Sequence, residues 1–395
     1  AAYNMDVASF FTKWLVDVED AQGPAGDFSD VSPRVVVPTP GAPAWADAGV
    51  ICPYWTWQMY GDTRVIERHY AAMTKYMNWL FEENRNYLRL KRRGNDFGDW
   101  LSINADTPKE VLATAFWAFD ADLMAQMAAA IGRKEDAAKY RELFKNIKDA
   151  FNEAYVKPDG RIHGDTQTCY VLALRFGLLD KEMREKALAH LVEDIQKRNN
   201  HISTGFLGVG HITPALTENG RLDVAYRLLN NDTFPSWGYS IKHGATTIWE
   251  RWDGWTAEKG FQDPGMNSFN HYALGSVGEW LYHTVAGIGL DRERPGFEHI
   301  ILKPRPGGGL TYAKASYNSI RGKIVSDWKL EGSKFEWKIS VPANTTATVH
   351  VPAKDMKNVR EGGSPVEKAQ GIKFLRMEDG AAVFEVGSGE YHFSA

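Results

Sequence analysis

The 395-residue sequence is poor in cysteine, in long apolar runs and in net charge. Its only cysteines, Cys52 and Cys169, are too few for a disulfide framework and lack metal-site spacing, so one disulfide or two buried thiols both remain open. No run of about 18 apolar residues could cross a membrane. Lys plus Arg number 46 against 50 Asp plus Glu, a net charge of −4. Without a basic excess, we expect no nucleic acid partner and no membrane.

Several catalytic and cofactor motifs are also missing. The absence of HExxH and of paired CxxC sequences disfavours a zinc site, and no spacing resembles a calcium-binding EF-hand loop. No Gly-x-Ser-x-Gly elbow is present, which argues against an esterase. The glycines at 307–309 lack the lysine and helix that a P-loop requires. The sequence therefore predicts neither a metal nor a cofactor, and calcium bound by the loops of the helical domain is the alternative that stays open.

Aromatic residues are abundant, with 14 Trp, 16 Tyr and 19 Phe. Such rings fill protein cores, but they also stack on flat ligands and on the apolar faces of sugars. Many lie in stretches rich in Gly, Trp and Asp, at residues 41–57, 95–100, 204–211 and 231–270. Because loops held by a rigid scaffold commonly carry function, these stretches are the first candidates for a binding site.

Helical periodicity dominates from residue 3 to about 288, beginning with a predicted helix over residues 3–18. Thr107 and Glu110 are spaced as a capping box, and the apolar run that follows stops at Gly132. A last helix is predicted over residues 275–287. Helices that alternate with aromatic and acidic loops favour an α/α toroid of helical hairpins. An open α-solenoid is the alternative, weakened by the lack of a fixed-length repeat.

After about residue 295 the period changes to two, which is typical of strands. Residues 331–333 read as a hairpin turn between strands that carry Trp328 and Trp337. The predicted fold is mainly α, with a toroid domain over residues 1–292 and a small C-terminal antiparallel β-sandwich over residues 293–395.

The richest chemical stretch runs from Trp249 to Trp255 and contains three indoles, two carboxylates and one guanidinium. Surrounding indoles desolvate a carboxylate and raise its pKa, whereas a neighbouring Arg keeps it ionised. Glycosidases need carboxyl groups of both kinds on opposite sides of the scissile bond. The alternative is structural: Arg251 pairs with a carboxylate inside a buried turn, and the indoles belong to the core.

Acid and indole are also paired at Trp45 with Asp47 and at Asp99 with Trp100. In a sugar site the ring stacks on C–H groups while the carboxylate accepts hydroxyl hydrogen bonds. Either aspartate could instead cap a helix. His271 could bind a hydroxyl or orient a carboxylate, although a lone His beside a helix start is more often structural.

Together these residues resemble the inverting α-L-rhamnosidases. The most specific match is GATTIWERW at residues 244–252, followed by NHY at 270–272 and GEWL at 278–281. FGDWL at 97–101 and TGFLG at 204–208 fit the same family in the same order, and the resemblance covers essentially the whole chain. It implies the α/α toroid with a C-terminal β-sandwich, and hydrolysis of terminal α-linked L-rhamnose.

The resemblance also implies roles for individual residues. Glu250 would be the general base that activates water for attack on the anomeric carbon. The polar and aromatic side chains that line the rhamnose subsite would be Asp47, Asp99, Trp100 and His271. Its apolar walls would be Trp45, Trp237 and Trp252. The two carboxyl groups of an inverting pair are expected roughly 6.5–9.5 Å apart.

One element of the family pattern is missing from these residues. The general acid of the family lies in a D-C-P-x-R-x-E-R motif followed by GWTGD, and neither sequence occurs here. The resemblance therefore implies that the acid lies upstream of Ala1. Loss of a general acid typically costs about 10²- to 10⁴-fold in rate. On this basis the chain alone is expected to be weakly active or inactive.

Two other functions remain open at this stage. The same toroid could carry another sugar-processing enzyme, a glucosidase or a polysaccharide lyase. The stacking residues could also belong to a non-catalytic carbohydrate-binding protein. The expected partner in each case is a carbohydrate, for the rhamnosidase a rhamnose-terminated glycoside or polysaccharide.

Overall fold

A computed structural model describes residues 1–37 and 39–395. Within those residues the chain forms two compact units. One unit combines Ala1–Phe10, Trp55–Asp62 and Gly278–Ala395, and it contains the main β-sheets. The other combines Phe11–Tyr54 and Thr63–Val277 and is mostly helical.

The helices follow the predicted 3.6-residue periodicity. In chain order they are α1 (Ala8–Asp20), α2 (Ala48–Tyr60), α3 (Arg64–Glu83), α4 (Lys109–Ala130), α5 (Lys134–Tyr155), α6 (Gln167–Arg175), α7 (Lys181–Lys197), α8 (Phe206–Glu218), α9 (Leu222–Asn230), α10 (Trp237–Lys242) and α11 (Val277–Trp280). Neighbouring helices pack as hairpins, α4 against α5, α6 against α7 and α8 against α9. These are the helical hairpins of the predicted α/α toroid. Across the described residues, none of the helices has the length and apolar character needed to cross a membrane.

Some predicted helix ends are wrong. The first helix begins at Ala8 rather than at residue 3. The fourth begins at Lys109 without a side-chain cap, because the Thr107 hydroxyl bonds the Thr166 hydroxyl at 2.7 Å instead of the helix. The predicted helix over 275–287 is a succession of a 3₁₀ turn, a short α-helix and a π-helical turn over Leu281–Val285. The predicted stop at Gly132 is confirmed, since this glycine follows α4 with a φ of 77°.

The strands form a short ribbon and larger sheets. The ribbon pairs β1 (Trp255–Thr256) with β2 (Gly260–Phe261). The remaining strands are β3 (Ile288–Leu290), β4 (His299–Leu302), β5 (Tyr312–Ser319), β6 (Gly322–Glu331), β7 (Lys334–Val341), β8 (Thr346–Pro352), β9 (Arg360–Glu361), β10 (Ser364–Pro365), β11 (Ile372–Glu378), β12 (Ala381–Val386) and β13 (Gly389–Ser394). One sheet has the order β10-β9-β13-β7-β6-β5, and another has the order β11-β12-β8-β4-β3.

The C-terminal sheets confirm the period-two prediction, with one exception to the antiparallel pattern. The hairpin at residues 331–333 is present, and Trp328 lies opposite Trp337 in its register. Both indoles are fully buried, because alternate residues of β6 and β7 face the core. Strand β4, however, pairs with β8 in parallel.

The predicted boundary between residues 292 and 293 stays a prediction. Strand β3 lies before that point and pairs with β4, which lies after it. The two cysteines do not form a disulfide; Cys169 is buried, and burial raises the pKa of both thiols to about 12.

Candidate active site

Asp99 holds the loop that leads into α8. Its carboxylate accepts hydrogen bonds from the backbone N–H groups of Gly205 and Leu207, each at 2.8 Å, and from that of Gly208 at 3.3 Å. The Thr168 hydroxyl adds a bond at 2.5 Å. A helix leaves its first N–H groups without partners inside the helix, and this carboxylate supplies an acceptor for them.

The direct contact between Asp99 and the sugar stays a prediction, and the hydrogen bonds that the structure shows for this carboxylate lie within the protein. The residue is only 7% exposed, and its oxygens are used by the α8 loop. Burial raises the pKa of Asp99, opposed by the hydrogen bonds from Thr168 and the loop amides, which lower it. The alternative role, a helix cap, is the one that the structure places here.

The backbone of Trp100 also holds the loop that leads into α8. Its carbonyl accepts the Phe206 N–H at 2.9 Å. A Cβ atom at Gly205 would lie 2.2 Å from that carbonyl oxygen, so the close approach requires glycine. The Trp100 ring itself is half-buried and meets Phe97 edge-on, with ring centroids 5.9 Å apart. Asp99 and Trp100 thus fix the position of Phe206.

Asp47 lies in a second buried cluster. The Arg89 guanidinium bonds both of its oxygens, at 3.0 and 3.1 Å, and the Tyr76 hydroxyl donates at 2.5 Å. The Ala44 N–H donates at 2.6 Å, which ties the carboxylate to the turn that carries Trp45. Both Asp47 and Arg89 are 0% exposed. The sugar contact of Asp47 stays a prediction, and both of its oxygens are already bonded within the protein.

A further carboxyl group, Asp120 on α4, is fully buried near this cluster. Burial, followed by the charge of Asp47, raises the pKa of Asp120 well above its usual range, against the opposing effect of Arg89. Arg89 bonds Asp47 directly, and the raised pKa favours the protonated form of Asp120.

Trp45 borders a cavity of about 300 Å³, which we call the Trp45 cavity. Its lining comes from four segments and includes Trp14, Asp30, Ser32, Trp45, Phe206 and Leu207. Trp45 is half-buried, and its ring packs against Phe97 with centroids 4.8 Å apart. The Asp47 cluster and the Asp99 loop thus each support a segment that lines this cavity.

Trp237 and Trp252 are placed in the interior rather than at an open surface. Their rings pack edge to face with centroids 5.4 Å apart. Each indole N–H donates a hydrogen bond to a backbone carbonyl. Trp237 donates to Leu274 at 2.8 Å, and Trp252 donates to Thr204 at 2.9 Å. Trp252 is only 2% exposed. The sugar-stacking role of Trp237 and Trp252 stays a prediction, and the contacts that the structure shows for both rings are packing contacts.

Glu250 and His271 are held by pairing between two chain segments. The Glu250 N–H donates to the Ser268 carbonyl at 2.8 Å, and the His271 N–H donates to the Ile248 carbonyl at 2.9 Å. Both side chains are half-buried. The His271 ring lies 5.0 Å from that of Phe206, which connects this pair of segments to the wall of the Trp45 cavity.

Arg251 forms its close ion pair with Asp253, while the charge of Glu250 makes a smaller contribution to raising the pKa of Arg251. Its guanidinium forms a two-pronged pair with Asp253, at 2.9 and 3.2 Å. That hydrogen bond is the main cause that raises the pKa of Arg251. The structural interpretation thus applies to Arg251, Asp253 and Trp252, while the Glu250 carboxylate is left outside this pair.

The structure divides the predicted site residues into two groups. Trp45, Trp100, Glu250 and His271 are half-buried, whereas Asp47, Asp99, Trp237 and Trp252 are buried. Sequence reasoning missed Phe206, although it lies in the quoted TGFLG motif, and it missed Asp30 and Ser32, which no motif marks. Within the described residues, no group of three His, Cys, Asp or Glu side chains is placed to hold a metal ion.

Comparison with known proteins agrees with helical hairpins followed by sheets. The family described as the bacterial alpha-L-rhamnosidase 6 hairpin glycosidase domain matches residues 1–285, and the bacterial alpha-L-rhamnosidase C-terminal domain matches residues 289–364. The class is thus that of the six-hairpin glycosidases. The chain belongs to the bacterial α-L-rhamnosidase family within that class.

Individual relatives support this assignment. An alpha-L-rhamnosidase from Streptomyces avermitilis is 45% identical over 394 residues, covering 100% of this chain and 37% of the relative. One from Formosa agariphila is 34% identical, covering 100% of this chain and 43% of the relative. The chain therefore spans less than half the length of these relatives.

Solved structures show the same fold. The crystal structure of the Streptomyces avermitilis enzyme complexed with L-rhamnose superposes with a TM-score of 0.93 at 45% identity, covering 100% of this chain and 37% of that one. The alpha-L-rhamnosidase from Dictyoglumus thermophilum gives a TM-score of 0.89 at 34% identity, covering 98% of this chain and 44% of that one.

Proposed function

We propose that this chain belongs to an enzyme that hydrolyses terminal α-linked L-rhamnose from a glycoside or polysaccharide, with inversion at the anomeric carbon. Family membership and the similarity to a rhamnosidase complexed with L-rhamnose support the substrate class. The observation that carries the proposal is the position of Glu250. Its carboxylate is half-buried and is not the close ion-pair partner of the neighbouring Arg251, on a segment whose companion His271 contacts Phe206 of the Trp45 cavity.

In this mechanism Glu250 acts as the general base. Its carboxylate takes a proton from water while the water oxygen forms a bond to the anomeric carbon. The bond between the anomeric carbon and the glycosidic oxygen breaks, and that oxygen receives a proton from a general acid. The acid upstream of Ala1 stays the prediction made from the family resemblance.

The half-buried residues would bind the sugar. Trp45 and Trp100 offer aromatic rings on which the C–H face of a deoxyhexose can stack. The Nδ1 atom of His271 accepts the Ala273 N–H at 3.2 Å, so in the neutral ring the proton is on Nε2. His271 can therefore donate a hydrogen bond to a sugar hydroxyl.

The buried residues would act by positioning. Asp47 holds the turn that carries Trp45, and Asp99 holds the loop that carries Phe206. Trp252 supports that same loop through its bond to the Thr204 carbonyl. Removing these groups should change the placement of the walls rather than remove a bond to the substrate.

The test is hydrolysis of an aryl α-L-rhamnoside by the full-length protein and by Glu250→Gln. The amide cannot take the proton, so the variant should lose about 10²- to 10⁴-fold in kcat. Proton NMR of the first product should show β-L-rhamnose, because inversion of an α-linkage releases the β-anomer.

Glu258→Gln is the matched control, since Glu258 is an exposed glutamate between β1 and β2. It should hydrolyse the rhamnoside at the unmodified rate. Full turnover by Glu250→Gln would contradict the assignment of the base, and an α-anomeric first product would contradict inversion.

A further inference from the structure

The Trp45 cavity contains polar groups that no part of the proposed mechanism uses. Asp30 is 8% exposed and lines the cavity. Its Oδ1 atom accepts the Ala42 N–H at 2.7 Å. Its Oδ2 atom has no hydrogen-bond partner among residues 1–37 and 39–395, and the same holds for the Ser32 hydroxyl, which lines the same cavity.

Unpartnered polar atoms at one cavity call for a ligand. A buried donor or acceptor left unpaired costs about 1–3 kcal/mol, so native proteins almost always satisfy it. Two such oxygens at one cavity, next to the aromatic rings of Trp45 and Phe206, offer both hydrogen bonds and stacking. A monosaccharide supplies the matching groups, since it carries hydroxyls around an apolar ring face.

The charge of the cavity favours a neutral sugar over an anion. Among the described residues that line the cavity, Asp30 is the one with an ionisable side chain. No Lys, Arg or His belongs to that lining. A uronate or phosphate would therefore meet a carboxyl group without a compensating cation. Burial raises the pKa of Asp30, whereas the hydrogen bonds from the backbone N–H groups of Ala42 and Gly41 lower it.

We propose that Asp30 and Ser32 bind hydroxyl groups of a neutral monosaccharide whose ring stacks in the Trp45 cavity. The identity of that sugar, the terminal L-rhamnose of the substrate, rests on the proposed function. Asp30 is then a specificity-determining residue outside the set that sequence motifs indicate.

The experiment is calorimetric titration of the full-length protein with L-rhamnose. Asp30→Asn keeps the acceptor for the Ala42 N–H but replaces the free oxygen by an amide nitrogen. It should weaken binding about 10- to 100-fold, and Ser32→Ala should weaken it about 3- to 10-fold.

Matched controls remove similar groups away from the cavity. Asp96 is also 8% exposed, and the Ser203 hydroxyl also lacks a hydrogen-bond partner within the described part of the chain, but neither residue lines the Trp45 cavity. Asp96→Asn and Ser203→Ala should bind L-rhamnose as the unmodified protein does. Thermal unfolding of each variant verifies that the fold is retained, and Ser32→Ala keeps the test decisive if Asp30→Asn unfolds.

The outcomes separate this inference from the proposed function. Unchanged affinity and unchanged KM in Asp30→Asn and Ser32→Ala would overturn the inference while rhamnoside hydrolysis still stands, and would mean that water satisfies both oxygens. Binding of D-glucose or L-fucose instead of L-rhamnose, weakened by the same variants, would support the inference and contradict the rhamnosidase proposal. Absence of binding by any of these sugars would overturn the inference.

Discussion

Two buried carboxylates support the Trp45 cavity by different electrostatic means. Asp47 is paired with the full charge of Arg89 and holds the turn that carries Trp45. Asp99 holds the loop that carries Phe206, and it accepts hydrogen bonds from neutral donors, the Thr168 hydroxyl and backbone N–H groups. In the sequence each carboxylate lies beside or close to a tryptophan, and this pattern does not distinguish the ion-paired Asp47 from Asp99.

The different bonding of the two carboxylates predicts how the Asp47 cluster and the Asp99 loop should respond to substitution. Asp47 also accepts hydrogen bonds from Tyr76 and Ala44, but Arg89 is the cation bonded to it, and a buried charge that loses its counter-charge is strongly unfavourable. A carboxylate bonded by several neutral donors spreads its stabilisation over many weaker bonds. We therefore expect the Asp47 cluster to fail as a unit and the Asp99 loop to loosen locally.

The largest expected effect comes from Arg89→Met. Methionine fills similar space but leaves Asp47 buried without a cation, which should reduce the free energy of unfolding by about 3–5 kcal/mol. Urea-induced unfolding at pH 7, followed by tryptophan fluorescence, measures this loss.

Arg161→Met provides the matched comparison. Arg161 forms ion pairs with Asp159 and Asp165 at the surface and is 38% exposed. Its removal should leave the unfolding midpoint unchanged, because solvent screens exposed pairs. Equal losses in the two variants would break the contrast between the clusters.

A smaller effect is expected from Asp99→Asn. The amide keeps one acceptor oxygen for the donors that now share two, so the free energy of unfolding should fall by about 2 kcal/mol. Hydrogen exchange should accelerate at the Gly205 and Leu207 amides while the rest of the helical unit keeps its protection. A loss larger than that of Arg89→Met would reverse the comparison.

The smallest effect is expected from Asp120→Asn and depends on pH. The raised pKa keeps folded Asp120 protonated, whereas the unfolded chain ionises above about pH 3.9. Ionisation of the unfolded state therefore lowers wild-type stability as pH rises, and the asparagine variant lacks this contribution. Between pH 4 and pH 5 the variant should gain about 1 kcal/mol relative to wild type in urea unfolding. A difference independent of pH would mean that Arg89 neutralises two carboxylates.

The repeating parts of the fold could be predicted from sequence. Helical periodicity located α4 and α5, and alternation located the hairpin of β6 and β7, because burial of one face imposes those periods. Contacts distant in sequence could not be predicted. Thr107 has the spacing of a helix cap, but its hydroxyl bonds Thr166, 59 residues away. The parallel pairing of β4 with β8 likewise depends on a long connection.

The residue types of the candidate site could be predicted, but their accessibility could not. Asp99 and Trp100 are neighbours in sequence, and the structure buries the carboxylate while leaving the indole half-buried. An acid beside an indole has the same pattern whether it caps a helix or faces a sugar. Asp30 belongs to no sequence motif, because its proposed role depends on an unpaired buried oxygen that arises only in the folded chain.

The carboxylate of Asp99 also determines the electrostatic character of the start of α8. An α-helix carries the equivalent of about half a positive charge at its N-terminus, which attracts phosphate and carboxylate ligands. Here the protein's own carboxylate already occupies the N–H groups of Leu207 and Gly208. The macrodipole of α8 is thereby compensated from within, so this end of the helix offers no attraction to acidic sugars or phosphorylated ligands that reach the neighbouring cavity.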